Sequence, residues 1–352
     1  MDAAGADVTG RGAIRVIALL LALAAVAAIA AGCGDKEVVR EKPVLVPNGN
    51  LSAPVPQRAN DSGAVRIAVV THGPASSPFW AIVRNGAEAA GRQMDVLVSY
   101  RAPDVYSFER MQELIDQAID SRPDGLVVSI PEPGLSVVIR RATQAGIPVV
   151  SINSGSNVSR RLGVLAHLGQ PERRAGLLAG RRLARSGVRR ALCVNQEVSN
   201  QGLDDRCRGL AQAMHEAGGV STVLGIDDMA ASTPTRIANA ARRHRAQAVL
   251  TLNSTGALLA LEGVRKAGLA GRVKVATFDL GPDVLNAVLR GQLAFAVDQQ
   301  PYLQGYLPVV LLSQLARYGL FPARRGLIPT GPNFVTKDNA QQALDLSRRS
   351  IR

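Results

Sequence analysis

The chain has 352 residues, 47% hydrophobic and 20% charged, an ordinary globular composition with enough length for one large or two medium domains. It holds 41 Lys and Arg against 28 Asp and Glu, a net charge of +13. The cations fall in short groups (Arg181-Arg182, Arg189-Arg190, Arg242-Arg243, Arg324-Arg325) with no aromatics between them, so they read as solvated helix faces and argue against nucleic acid as a partner.

The N-terminus stands apart. Arg11 and Arg15 precede the apolar run Val16 to Ala31, which ends in small residues, the pattern of a secretory signal. The run is short for a membrane span, and no later stretch is long enough to be one. Ala30-Ala31-Gly32-Cys33-Gly34 resembles a bacterial lipobox, with Ala30 where Leu is usual. That resemblance implies that Cys33 becomes the lipidated first residue of an exported, membrane-anchored protein in the periplasm or at the cell surface. A plain cleaved signal with an incidental Cys is the alternative. Residues 1–32 are therefore expected to be a signal peptide. The polar, Pro-bearing stretch 33–63 is expected to be a lipidated tether. With Cys33 assigned, Cys193 and Cys207 remain, and export permits a disulfide between them; two free thiols are the alternative. Spacing and His content give no zinc pattern, and no cofactor is expected.

The folded part opens with Val65 to Val70, an apolar run broken only by Arg66, which reads as a buried strand. The loop Thr71 to Ser77 leads into AIVRNGAEAAGRQM, which has helical spacing. Only 3% of the chain is aromatic and it has one Trp, yet Phe79 and Trp80 are adjacent at this loop. Flat apolar faces beside His72, Ser76 and Ser77 suit a ligand with both C–H and O–H surface, such as a sugar or polyol. The alternative is two core rings at a helix start.

Strands are then expected at 95–100, 125–130, 147–152 and 162–169, and helices at 108–121, 135–145 and 172–186. A second series follows, with strands at 190–195, 220–226, 247–252, 273–278 and 293–297. Its helices are expected at 202–217, 235–245, 256–267, 282–290 and 302–318. The tail PTGPNFVTKDNAQQAL is expected to cross back and pack on a lobe. Regular alternation means parallel sheets covered by helices on both faces. The expected fold is α/β, with two doubly wound parallel-sheet lobes joined by a three-strand hinge. The N-terminal lobe takes 64–168 plus 300–330 and the C-terminal lobe 169–299 plus 331–352, with crossings near Gly169, Gln299 and Gly331.

Asn153, Asn253 and Asp279 each stand one residue past a strand's apolar run, where ligands of open α/β sheets bind. Asn, Gln, Ser and Asp can accept and, Asp excepted, donate to a polyol. The alternative for Asn153, Asn253, Asp279 and Gln299 is capping, since such residues often close loops and helix starts. His72 and His167 also fall at strand ends and read as hydrogen-bonded structural residues or as ligand contacts.

The alternation and its loops resemble the type I periplasmic binding proteins of the ribose-binding class, solute receptors of bacterial sugar ABC importers. SPFW, GIPVVSINS, LTLNSTGALLALEGV, ATFDLGPDVLNAV and AVDQQPYLQGYLPV carry the likeness, which spans Val65 to about Asn339. It implies that Phe79 and Trp80 are the stacking pair, with Ser77 where ribose binders have Asn. Asn153 and Ser154 stand where that class has a sugar-gripping Asp-Arg pair, a departure that removes both charges. Asn253, Asp279 and Gln299 fall on the family's Asn, Asp and Gln. Near Arg206 the match slips, because ribose binders place a sugar-binding Arg two positions earlier, at Asp204; Asn200, Asp204 and Arg206 are all candidates.

The resemblance implies a monomeric exported receptor that closes on one neutral monosaccharide or polyol and presents it to an ABC permease and its ATPase. The alternative is a receptor that presents a sugar or autoinducer to a membrane signalling partner. An enzyme is not expected: the chain has no GxSxG elbow, P-loop, paired metal-ligand His or GxGxxG turn.

Overall fold

A computed structural model describes residues 63–74, 76–227, 230–322 and 326–352. The expected signal peptide, Cys33, nearly all of the expected tether, and the Arg324-Arg325 pair lie outside these residues.

The first series runs β1 (Arg66–Val70), α1 (Pro78–Met94), β2 (Leu97–Arg101), α2 (Phe108–Asp120), β3 (Gly125–Ser129), α3 (Ser136–Gln144), β4 (Val149–Ile152), the short α4 (Ser156–Ser159) and β5 (Ala166–Gly169). The second runs α5 (Glu172–Arg185), β6 (Arg190–Asn195), α6 (Gln201–Glu216), β7 (Val220–Gly225), α7 (Thr233–Arg243), β8 (Ala248–Thr251), α8 (Ser254–Lys266), β9 (Lys274–Phe278), α9 (Pro282–Leu289) and β10 (Ala296–Asp298). The chain closes with α10 (Pro301–Tyr318), β11 (Gly326–Pro329), β12 (Asn333–Val335) and α11 (Ala340–Ser347).

These form two six-stranded sheets, ordered β11-β5-β4-β3-β1-β2 and β12-β10-β9-β8-β6-β7. Every pairing is parallel except β10 with β12. The central strands are buried on both faces, which is why they read as continuous apolar runs: β3 and β4 are buried at every position. Helices start where the chain supplies caps or Pro. Ser107 Oγ accepts from Arg110 N at 3.0 Å to open α2, and Pro78 stands in the first turn of α1.

In the first lobe, Met111, Ile115 and Ile139 pack on one face of the sheet, and Trp80, Val83 and Leu312 on the other. α1 and α10 touch backbone to backbone on that second face. A Cβ at Gly86 would sit 2.2 Å from Tyr302 O, and one at Gly305 1.9 Å from Val83 O, so both positions need Gly. In the second lobe Cys193 of β6 is bonded to Cys207 of α6, 14 residues on. Closing a loop of that length is worth about 3 kcal/mol on the chain-entropy account.

The sheets are joined by crossings at Gly169-Gln170, Gln299 and Thr330-Gly331. The three lie side by side. Thr330 N donates to Gly169 O at 2.9 Å, Gln300 Nε2 to Thr330 O at 3.0 Å, and Gln304 Nε2 to Thr330 Oγ1 at 3.2 Å. The tail crosses back and packs on the second lobe, where Val335 of β12 and Ala340, Ala343 and Leu344 of α11 join the core. β11 edges the first sheet and β12 the second. Both are short and half-exposed, so neither has the apolar run that marks a central strand. β10 begins at Ala296, three residues later than the apolar run at 293–297 suggests, although the backbone already meets β9 before it: Ala294 N donates to Val275 O at 2.8 Å and Phe295 O accepts from Thr277 N at 3.2 Å.

Candidate functional site

Parallel strands bring their carboxyl ends to one edge of each sheet, and the sequence fills that edge with polar residues. In the first lobe these are His72 after β1, Ser129 at the end of β3, and Asn153 and Ser154 after β4. In the second they are Asn195 at the end of β6, Asn253 after β8 and Asp279 after β9. Asn153 (φ 58°) and Asp279 (φ 65°) hold left-handed backbone, which Asn and Asp tolerate better than most residues. The chain therefore turns sharply as it leaves each strand.

Gln299, at the middle crossing, ties the two edges together. Its Nε2 donates to Asp279 Oδ1 at 2.7 Å, and its Oε1 accepts from Asn153 Nδ2 at 3.3 Å and from Gln304 Nε2 at 3.1 Å. Further contacts join the lobes directly. Ser154 Oγ lies 3.0 Å from Asn200 Oδ1 and 3.1 Å from Asn153 Oδ1, so one hydroxyl proton is shared between two amide oxygens. His72 Nε2 lies 3.4 Å from both Asn200 Nδ2 and Glu197 Oε2. Asn157 Nδ2 donates to Gln201 Oε1 at 2.8 Å, and the Gln201 backbone N–H to Pro131 O at 3.1 Å. A continuous polar path thus runs from His72 through Asn200, Ser154, Asn153 and Gln299 to Asp279.

His72 is buried and anchored in its own lobe: its backbone N–H and Nδ1 both meet Ser129 Oγ, at 2.9 and 2.8 Å. Aromatic rings surround it. Trp80 lies edge-on at 4.8 Å and Tyr106 at 5.9 Å, and Phe79 stands edge-on to Trp80 at 5.0 Å. Trp80 is 6% exposed, belongs to the core of the first lobe, and lies so close over Gly73 that a Cβ there would meet its indole. Phe79 is half-buried. Tyr106 Oη donates to Glu132 Oε1 at 2.5 Å; burial, and then this acceptor, push its pKa up. His167 meets Ser151 Oγ at 2.9 Å, and burial lowers it to about 4, so it is a neutral structural residue.

Charge in the second lobe is arranged around Arg206. Its Nε and Nη2 grip Glu172 at 2.6 and 2.9 Å, its Nη1 donates to Leu252 O at 3.2 Å, and its guanidinium lies 4.6 Å over the Phe278 ring. Burial alone would lower the Arg206 pKa, but the Glu172 carboxylate outweighs it and holds it above its ordinary value. Asp279, half-buried, is pushed up to about 6 by burial, against the pull of Arg206 and the Gln299 hydrogen bond. For Glu197 burial also acts upward, but His72 and the Asn200 amide outweigh it, and its carboxyl lies below the ordinary value.

The remaining candidates have local partners. Asn253 Oδ1 caps α8 by accepting from Gly256 N at 2.7 Å, and Asn200 Oδ1 caps α6 by accepting from Gly202 N at 3.0 Å. Asp204 Oδ1 accepts from Asn195 Nδ2 at 3.1 Å, which braces the loop after β6. Ser77 precedes α1 without capping it, and its buried Oγ finds no partner among the described residues. Reading the sequence alone missed Glu197, Ser129, Tyr106, Glu132, Glu172 and Gln304. Glu197 and Ser129 had a signal, standing just past and at a strand end, and Gln304 lies five residues from Gln299; Tyr106 with Glu132 and Glu172 with Arg206 pair over 26 and 34 residues, which no local pattern reports. Among the described residues no group of His, Cys, Asp and Glu could hold a metal ion.

The strand ends leave acceptor capacity at the junction of the lobes. No described residue donates to Asp279 Oδ2, and Asn153 Oδ1 and Asn200 Oδ1 compete for one proton. Such a site is completed by a group that brings O–H donors.

The profile of the periplasmic binding protein domain family matches residues 67–319. The xylose/arabinose-binding protein XylF of Sulfolobus acidocaldarius is 26% identical over 332 residues, 87% of this chain and 81% of its own length. A carbohydrate transporter from Acidothermus cellulolyticus 11B, crystallised with myo-inositol, is 34% identical and covers 82% of this chain and 100% of its own, with a TM-score of 0.77. An ABC transporter solute binding protein from Burkholderia graminis C4D1M, in complex with D-arabinose, shares the fold, with a TM-score of 0.72 and 23% identity over 80% of this chain and 98% of its own.

Proposed function

The chain belongs to the periplasmic binding protein domain family, and from that premise we propose that it is an exported receptor for one small uncharged sugar or polyol, held between its lobes and handed to an ABC importer. The polar strand ends at the lobe junction carry this reading. Asp279 Oδ2 of the second lobe and Asn153 Oδ1 of the first, which shares the Ser154 proton with Asn200, suit the hydroxyl donors of one ligand that reaches both edges. A ligand that contacts both edges favours the arrangement in which they meet, which is how binding couples to hinge closure. The aromatic pair Phe79 and Trp80 supplies the flat wall that the C–H face of a sugar ring needs. The named ligands of two relatives, myo-inositol and xylose or arabinose, are of this class.

The finer parts of the proposal rest on sequence motifs. They are membership of the ribose-binding class, lipidation at Cys33, monomeric action, and delivery to a permease and its ATPase. The ligand-binding set is Ser77, Phe79, Trp80, Asn153, Ser154, Asn200, Asp204, Arg206, Asn253, Asp279 and Gln299. Within it the Arg206 guanidinium serves through its fixed position beside Asp279, because three of its N–H groups are already engaged.

A thermal-shift screen over pentoses, hexoses, inositols and alditols tests the reading. A ligand that binds only the folded chain raises Tm, by an amount that grows with its concentration. A response to at least one sugar or polyol is expected. No response to any of them, or a response to amino acids or nucleosides instead, overturns it.

A further inference from the structure

The strands of the second sheet, antiparallel β12 excepted, start along the edge opposite Asn195, Asp279 and Gln299, and this edge gathers positive charge. Arg190 begins β6 and Lys274 begins β9. Gln247, just before β8, lies between them. Its Oε1 accepts from Arg189 N at 2.7 Å and Arg190 N at 3.1 Å, and its carbonyl from Lys274 N at 2.9 Å. Arg245 and Arg272 precede β8 and β9, and Arg185 ends α5. All of these cations are exposed. Two acids at this end, Glu216 and Glu262, are already paired, with Arg181 at 3.0 Å and Lys266 at 2.5 Å.

Along the first lobe's matching edge the cations, Arg66, Arg92, Arg122, Arg140 and Arg317 among them, are more closely mixed with acids: Arg141 pairs with Asp116, Arg66 N donates to Asp124 Oδ2 at 2.8 Å, and Arg317 Nη2 donates to Asp95 O at 2.7 Å. Helix C-termini meet this edge in both lobes and attract cations, so dipoles account for part of the charge on each but not for the difference between them. At roughly half an elementary charge per helix, they offset only a minority of these residues.

The cations are fixed in place and spread out. Arg189 Nη1 donates to Ala184 O and Val188 O, Arg190 Nε to Arg245 O, and Lys274 Nζ to Ser186 O. Beside them a groove of about 1070 Å³ is lined by Arg182, Arg185, Arg265 and Lys274. The Phe295 ring in its lining is buried, with the Arg182 guanidinium 5.6 Å over it, and offers no open stacking face. Single-stranded nucleic acid needs such faces. A broad lattice of fixed cations without them suits a planar array of phosphate headgroups.

We propose that the strand-start edge of the second lobe is an electrostatic docking face for an anionic phospholipid surface. The test is co-sedimentation of the full chain with vesicles of phosphatidylcholine alone and of phosphatidylcholine with about one third phosphatidylglycerol. The expected result is binding at least about tenfold stronger to the anionic vesicles, lost as salt rises from about 50 to about 300 mM. The triple variant Arg189→Glu, Arg190→Glu, Lys274→Glu should lose that preference and keep the binding to neutral vesicles. A first-lobe control, Arg92→Glu with Arg140→Glu, should keep the preference. If the triple variant does not melt cooperatively, Arg185→Gln, Arg265→Gln, Arg272→Gln takes its place, with a several-fold loss expected. Equal binding of the parent to both vesicles, or an undiminished preference in the folded variants, overturns the proposal. So does binding to DNA or polyphosphate as tight as to the anionic vesicles.

Discussion

Ser154 of the first lobe and Asn200 of the second meet at 3.0 Å, hydroxyl to amide oxygen, across a gap of 46 residues in sequence. Asn200 is already fixed as the cap of α6, so this contact sets the first lobe's strand edge against a rigid point of the second. Removing the hydroxyl alone separates its role at the site from the fold. Ser154→Ala should lower affinity for the identified sugar by about tenfold, while the unliganded Tm moves little, since one hydrogen bond is worth roughly 1 kcal/mol. Calorimetric titration of parent and variant decides it; equal affinities would remove Ser154 from the site.

Asp279 makes stability depend on pH. Its pKa in the folded chain is about 6, against 3.8 for the free group, raised by burial. Between these values the folded state holds the proton more tightly than the unfolded state does. Its contribution to stability therefore falls as pH rises from about 4 to about 6, and is level above that. Asp279→Asn lacks this contribution. The stability of the variant relative to the parent should rise between about pH 4.5 and about pH 7.5 in urea titrations. A constant difference across that range would contradict the raised pKa.

Glu172 and Arg206 are both buried, and their two-point contact is the reason either charge is tolerated there. Glu172→Ala leaves the guanidinium unpaired and should cost about 3–5 kcal/mol. The exposed pair Arg208 and Asp205, at 2.9 Å, is the contrast: Arg208→Ala should cost no more than about 1 kcal/mol. Urea midpoints for the two variants should differ accordingly.

The Cys193–Cys207 bond closes a short loop between β6 and α6, next to the Asn195–Asp204 brace. Cys193→Ala with Cys207→Ala should lower stability by about 3 kcal/mol. Non-reducing mass analysis of the parent should show no free thiol at either position; alkylation of both in the native protein would refute the pairing.

Trp80 is the chain's one Trp, so its emission reports on a single place. Because the ring packs on His72 and Phe79 beside the lobe contacts, ligand addition should shift its emission. Trp80→Phe should keep the fold and weaken sugar binding. Unchanged affinity in that variant would assign Trp80 to the core alone.

How far the sequence reached can be seen residue by residue. Residues 125–130 and 147–152 were legible as strands because a strand buried on both faces must be apolar throughout, and β3 and β4 are. Asn153, Asn253 and Asp279 were legible because parallel topology sends every strand end to one edge. β11 and β12 were not, since short edge strands with one wet face carry no such run. Whether Asn253 caps a helix could not be decided from its position, because the residue types that cap also line pockets.

The sequence by itself determined the alternation, the two-lobed architecture and the polar character of the strand ends, because these follow from periodicity and residue type within short windows. The tertiary structure alone decided which partners those ends take: Gln299 between Asn153 and Asp279, Glu172 under Arg206, and Glu197 facing His72. Each of these pairs spans many residues, and its energy depends on burial and distance, quantities that exist only once the chain has folded.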